Sequence, residues 1–186
     1  MEIKYSKDVK ENIIQEILDI ESAVYDKKYR GTYESIQARY NKNKDTFILA
    51  YDNNKMIGYL CFLPITDILY DEIISANRFH DDNISAENIT NFYDKVNLYL
   101  ISIAIIPAYQ DTDVIKEMTY AFFTLLNDMR ERNICINNII ASAVTNDGEK
   151  YLIRLGFKQL KSIHDEYTIY HINYKKEHKN YDHYLR

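Results

Sequence analysis

From Leu98 to Ile106 the chain is almost unbroken in Leu, Ile and Tyr, with only Ser102 and Ala104 intervening. A short run this rich in β-branched residues predicts a strand covered on both faces. It stops at Pro107, which has no N–H for the next ladder bond. The period then changes. Val114, Ile115, Met118, Phe122, Leu125, Leu126 and Met129 recur at helical spacing and share one face. Asp111, Thr112 and Asp113 are candidate caps, with acidic charge where the helix dipole favours it, and Arg130 and Arg132 close the far end. Asn138 to Val144 reads as a second strand, followed by a shorter helix from Asn146. Strand, crossover helix and strand in this order make a parallel βαβ unit, right-handed by rule. Ligands in such units gather where the first strand ends and the helix begins, here the loop Pro107 to Asp113.

Around this unit the pattern places further elements. Glu2 to Tyr5 reads as an edge strand. Ser6 or Asp8 is the expected cap of a helix with apolar stripe Ile13, Ile14, Ile17, Leu18, Ala23 and Val24. The segment YDKKYRGTY, with Gly31 breaking the helical pattern, is either a plain connection or a substrate-contacting loop. Thr32 caps the next helix, Tyr33 to Asn41. Asp45 to Tyr51 and Lys55 to Leu63 read as strands joined by the turn Asp52-Asn53-Asn54, residues that tolerate positive φ, with Pro64 ending the second strand. A helix is expected over Asp67 to Ser75, then a polar insertion to about Lys95. Phe157 to Ile163 and Glu166 to Asn173 form a final antiparallel pair turning near His164-Asp165. The charged end, KKEHKNYDHYLR, lacks an apolar period and is expected to be mobile or loosely docked. Residues 1–174 therefore read as one domain and 175–186 as a charged tail.

Composition narrows the partners. The chain has 186 residues, enough for one well-buried domain, and 28 acidic against 23 basic residues give a net charge of −5. That balance argues against a nucleic-acid backbone as main partner. A tRNA-directed reading would need a basic surface, for which Lys27, Lys28, Arg30 and Arg39 are the candidates. Cys61 and Cys135 are too few for a disulfide framework. The N-terminus lacks a basic-plus-apolar signal pattern, and no apolar run approaches the ~20 residues that span a bilayer, so a soluble, cytoplasmic protein without a membrane partner is expected. His80, Asp81 and Asp82 have metal-ligand chemistry but no partner spacing, and no metal is expected.

The element order and its punctuation resemble the GNAT superfamily of acyl-CoA-dependent acyltransferases. The residues carrying the resemblance are Ile57-Gly58-Tyr59, the run Ile103-Ala104-Ile105-Ile106-Pro107-Ala108-Tyr109-Gln110, and Leu155-Gly156-Phe157. The resemblance covers roughly Phe47 to Leu160. It implies an α/β fold with a mixed sheet of about seven strands, a central parallel βαβ unit and helices on both faces. It also implies acetyl-CoA as cosubstrate, its pantetheine arm lying between splayed fourth and fifth strands against Ile103, Ala104 and Ile105. The pyrophosphate would lie against Gln110, Asp111, Thr112, Asp113, Val114 and Ile115. The acceptor would be a primary amine, on a small molecule or a protein, attacking the thioester directly.

The chain departs from the family pattern in two places. The family loop is Arg/Gln-x-x-Gly-x-Gly/Ala, whereas this chain has Asp113 and Ile115 at the small positions. Glycine lets a phosphate approach the backbone closely, and two carboxylates beside it repel an anion. Where many members carry a general-acid tyrosine this chain has Leu152; Tyr151, one residue earlier, is the candidate acid or else a core residue. Asn146 matches an asparagine that lines the cofactor groove in the family and suits a helix cap equally well. For the base, Ser102, Glu21, Asp26, Asp81 and Asp82 all stand open. Asp113, Ile115 and Leu152 favour an alternative, a catalytically inactive protein that keeps the fold for interaction or ligand sensing. The sheet edge near the last two strands is a candidate homodimer interface.

Overall fold

The structure, a computed structural model, describes residues 1–9, 12–75, 79, 81, 84–163 and 167–185. The strands are β1 (Glu2–Tyr5), β2 (Phe47–Asp52), β3 (Lys55–Ile65), β4 (Lys95–Ile105), β5 (Cys135–Ala143), β6 (Lys158–Ile163) and β7 (Tyr167–Ile172). The helices are α1 (Ile13–Val24), α2 (Tyr33–Lys42), α3 (Asp67–Ser75), α4 (Val114–Glu131), α5 (Asn146–Arg154) and the short α6 (Tyr174–Glu177). The seven strands form one sheet in the order β1-β2-β3-β4-β5-β7-β6. All neighbours are antiparallel except β4 and β5, the parallel pair spanned by α4. This is the expected mixed sheet around a central βαβ unit.

Two apolar layers sandwich the sheet. On one face Val114, Met118, Phe122 and Leu126 of α4 pack with Leu152 of α5 against Ile48, Leu98 and Leu100. On the other, Ile13, Ile14 and Ile17 of α1, Ile36 of α2 and Ile73 of α3 pack against Tyr59, Leu63 and Tyr99. Each large apolar side chain buried in these layers contributes about 1.5–3 kcal/mol. No helix among the described residues is long and apolar enough to cross a membrane.

Local chemistry explains most boundaries. Asn53 and Asn54 both take positive φ, 48° and 61°, so the β2–β3 hairpin turns as their residue types require. Thr32 accepts from the Ser35 amide and caps α2. At α1 the cap is Asn12, whose side chain accepts from the Ile14 amide; Ser6 and Asp8 lie instead in a separate 3₁₀ turn, and Ser6 is buried against the Lys44 carbonyl. The buried face of α1 also runs on to Ile20 and Glu21, leaving Ala23 exposed.

Pro64 does not end β3. It pairs opposite Leu98 on β4, and its carbonyl accepts the Thr90 amide on the opposite side. β2 pairs only as far as Cys61, so the missing N–H of Pro64 faces a side with no neighbouring strand to bond. The charged end is not loose either. It folds as α6 and a 3₁₀ stretch, His178–Tyr184, that buries Tyr174 and Tyr181 against α4. The Tyr181 and Tyr184 rings stack on Phe123 at centroid distances of 4.6 and 5.0 Å. Aromatic anchors hold this segment without helical periodicity. The expected turn at His164-Asp165, and His80 and Asp82 of the insertion, lie outside the described residues.

Candidate functional site: an open strand edge beside a helix start

Opposite Phe62 on β3 stands Leu100 of β4, and opposite Cys61 stands Ser102; Ile101 is therefore one residue too many. Such a bulge bends the strand and increases its twist. It also sends Ser102 to the face that carries Tyr59 and Tyr99. The pairing of β4 with β5 ends at this point, its last partners being Leu100 and Ala141, although β4 continues to Ile105 and β5 to Ala143. Beyond the bulge β4 keeps β3 as neighbour and has lost β5. Past this point the two strands are unpaired with each other, which leaves a gap between them in the sheet.

The register shows which backbone groups face it. Ile106 donates to the carbonyl of Ile57, so alternate residues Ala104 and Ser102 also turn their backbone groups toward β3. Ile103 and Ile105 turn theirs into the gap. Their carbonyls are already taken, that of Ile103 by the Tyr25 hydroxyl at 2.6 Å and that of Ile105 by the Gln110 side-chain amide at 3.1 Å. The Ala104 backbone is occupied within the sheet, which sets it apart from its two neighbours.

The gap leads to the loop before α4. Pro107–Tyr109 form a 3₁₀ turn, Thr112 bonds back to the Tyr109 carbonyl through both its amide and its hydroxyl, and α4 begins at Val114. Asp113 occupies the cap position, yet its side chain caps nothing. The first-turn amides of Val114, Ile115 and Lys116 have no intrahelical acceptor, as at any helix start, and carry the positive end of the helix dipole. Asp111 and Asp113 are exposed beside them, whereas Val114 is buried in the core. The loop is tied to the β2–β3 hairpin by Tyr109, whose hydroxyl donates to Asp52 at 2.8 Å and holds that carboxyl below its usual range.

Tyr151 of α5 sits between α5 and α4, half-buried, its hydroxyl 2.8 Å from that of Thr119. Burial pushes its ionisation well up, so it is a neutral phenol at physiological pH. Leu152, the next residue, is buried in the core. Asn146 is the first residue of α5 and not its cap; that role falls to Thr145, whose hydroxyl accepts from the Gly148 amide. Asn146 instead lines a polar cleft of about 170 Å³ with Glu149, Ser162 and Tyr167, at the end of β5.

A chain of polar side chains lies on the other face, under the gap. Tyr59 donates to Glu21 at 2.8 Å and meets Ser102 at 2.9 Å; Tyr25 meets Ser102 at 3.2 Å; the second Glu21 oxygen accepts the Gly31 amide at 2.7 Å. Burial raises the carboxyl of Glu21 above its usual range, against the opposing pull of the Tyr59 and Gly31 hydrogen bonds. Of the candidate bases, Glu21 and Ser102 thus meet in one network. Asp26 is exposed in the α1–α2 connection, and Asp81 accepts from the Tyr99 hydroxyl, which also contacts Ser142. Tyr25, Tyr59 and Tyr99 were not legible as site residues in a chain with 18 tyrosines; only the YDKKYRGTY loop hinted at Tyr25. Arg30 and Arg39 are occupied by backbone carbonyls, so the basic run is partly structural. Among the described residues no cluster of metal-ligating side chains occurs.

Comparison with known proteins places this geometry. No protein-family model matches the sequence, and no curated protein matches it. Solved structures do. The loading GNATL domain of CurA from Lyngbya majuscula superposes with a TM-score of 0.62 at 11% identity, covering 94% of this chain and 98% of that one. The GphF GNAT-like decarboxylase, solved with isobutyryl-CoA, gives 0.61 at 11% identity over 93% and 99%. Naa50 of Arabidopsis thaliana, solved with the bisubstrate analogue CoA-Ac-MVNAL, gives 0.56 at 12% identity over 92% and 97%. The chain has the GNAT fold.

Proposed function

We propose that this protein is an acyl-CoA-dependent N-acyltransferase that moves an acetyl group from acetyl-CoA to a primary amine. The observation carrying the proposal is the β4 gap: an open strand edge, made by a bulge at Ile101, that runs into the amide-rich start of α4. An extended, amide-bearing pantetheine arm has the form of a missing strand, and the inward-facing backbone of Ile103 and Ile105 suits it. Gln110 would release the Ile105 carbonyl, while the Tyr25 hydroxyl stays on that of Ile103. Val114 and Ile115, with the loop from Gln110 through Asp111, Thr112 and Asp113, would hold the pyrophosphate through backbone amides. Ala104 would contribute strand geometry only, and Asn146 the far wall of the gap.

The cosubstrate supplies a thioester carbonyl activated toward nucleophiles. The protein's part is to align the amine with that carbon, accept the amine's surplus proton and protonate the departing sulfur. As the C–N bond forms and the C–S bond breaks, Tyr151 is the candidate proton donor: it is neutral, and its proton, given to Thr119 in the resting chain, would turn to the sulfur. The peptide portion of the Naa50 ligand supports an amine acceptor of that kind. Two copies would pair most simply through β6, the outer strand, whose residues 158–160 are exposed.

One set of observations favours the alternative of an inactive, ligand-sensing protein: the exposed Asp111 and Asp113 and the bulky Ile115 stand where a phosphate must come close. Incubation with acetyl-CoA and a pool of peptides and small primary amines, followed by mass spectrometry, separates the two. Acetylated product is expected, and its absence despite cofactor binding would favour the sensor.

A further inference from the structure

We propose that Ser102 is the acceptor-facing end of a proton path running through Tyr59 to the buried Glu21; the inference rests on the acyltransferase reading above. Its basis is the direction in which the hydrogen bonds must point. An ionised carboxylate only accepts, so the single proton of Tyr59 goes to Glu21 across 2.8 Å. Tyr59 then has only lone pairs for Ser102, which must donate across 2.9 Å. The Tyr25 proton is committed to the Ile103 carbonyl. Neither tyrosine has a proton left for Ser102, whose own proton goes to Tyr59, so Ser102, half-buried on the bulged strand, presents lone pairs alone. A ligand reaching Ser102 must bring an N–H or O–H donor, which a protonated amine does.

The transfer balances without a co-reactant. As one N–H bond of the ammonium breaks, its proton joins Ser102 Oγ, the Ser102 proton moves to Tyr59 Oη, and the Tyr59 proton moves to Glu21 Oε1. Both hydroxyls end neutral, the carboxylate becomes a carboxylic acid, and the nitrogen keeps its lone pair for attack. Glu21 is 7% exposed, so the path ends at a largely buried carboxylate that keeps a narrow contact with solvent. The groups facing it are Tyr59 and Cys61 of β3, Tyr25 after α1, Arg30 and the Gly31 amide of the connection, and Arg39 of α2. The two guanidiniums favour its ionised form and burial opposes it, which poises it to take a proton.

The test reads Glu21 in the full-length protein labelled with ¹³C at glutamate carboxyls, its resonance assigned by loss in Glu21→Gln. Ser102→Ala removes the donor to Tyr59, weakens the Tyr59 hydrogen bond to the carboxylate and should raise the Glu21 titration midpoint; an unmoved midpoint overturns the path. With acetyl-CoA and ethylamine as probe acceptor, Glu21→Gln should lower transfer about 10²-fold and abolish the acidic limb of the kcat/KM profile, at unchanged acetyl-CoA affinity. Retention of that limb also overturns it. A wild-type protein that binds no acetyl-CoA defeats the acyltransferase reading itself, a distinct result.

Discussion

The hydroxyl of Tyr151 lies 2.8 Å from that of Thr119, which in turn donates to the Ile115 carbonyl one helical turn back, at 2.6 Å. The candidate proton donor on α5 is thereby tied to the first turn of α4, where the pyrophosphate is proposed to bind. Tyr151→Phe removes one hydroxyl and keeps the ring packing. Turnover should fall by about 10²-fold, with cofactor affinity unchanged and stability altered by no more than ~1.5 kcal/mol. A loss of stability without a selective fall in kcat would return Tyr151 to a purely structural role.

Asp111 and Asp113 set the electrostatics of the helix start. Both are exposed, so each would repel a pyrophosphate bound as proposed, through high-dielectric surroundings. The double change to Asn should tighten CoA binding about threefold to tenfold at low ionic strength, an advantage that shrinks in high salt. Titrations at two salt concentrations check this, and equal affinities at low salt would move the pyrophosphate away from this loop.

Gly58 faces Ile105 across β3 and β4. A Cβ at Gly58 would stand 2.9 Å from the Ala104 carbonyl oxygen, a backbone atom that cannot turn aside. Gly58→Ala should push β4 away from β3 just where the gap opens, costing about 1–3 kcal/mol by urea denaturation.

The terminal segment is a second test of packing. Tyr181 is buried, stacks on Phe123 and covers Gly156, which has a φ of 81°. Tyr181→Ala should cost about 3–5 kcal/mol, as for other buried aromatics cut to alanine. A neutral result in urea melts would mean that the segment is not docked in solution.

The βαβ unit was legible in the sequence because its period changes sharply from near-continuous Ile and Leu to the spaced apolar positions of α4. Gly58 and the Pro107 turn were legible because the chain has only four glycines and two prolines. The gap was not. A bulge depends on register, and nothing in the residue type of Ile101 marks it as the extra one. The network of Glu21, Tyr59 and Ser102 joins three separate elements, and tyrosines are too common in this composition to single one out. Pro64 and the terminal tyrosines misled for a related reason: what each does depends on which neighbour is present, and local pattern does not record that.

The central claim is that the β4 gap and the start of α4 bind CoA. Calorimetric titration of the wild-type protein with acetyl-CoA and, separately, with CoA tests it most directly. Micromolar dissociation constants, about −8 kcal/mol, are predicted for both. Absence of binding up to millimolar ligand would contradict the account and leave a GNAT fold that serves some other end.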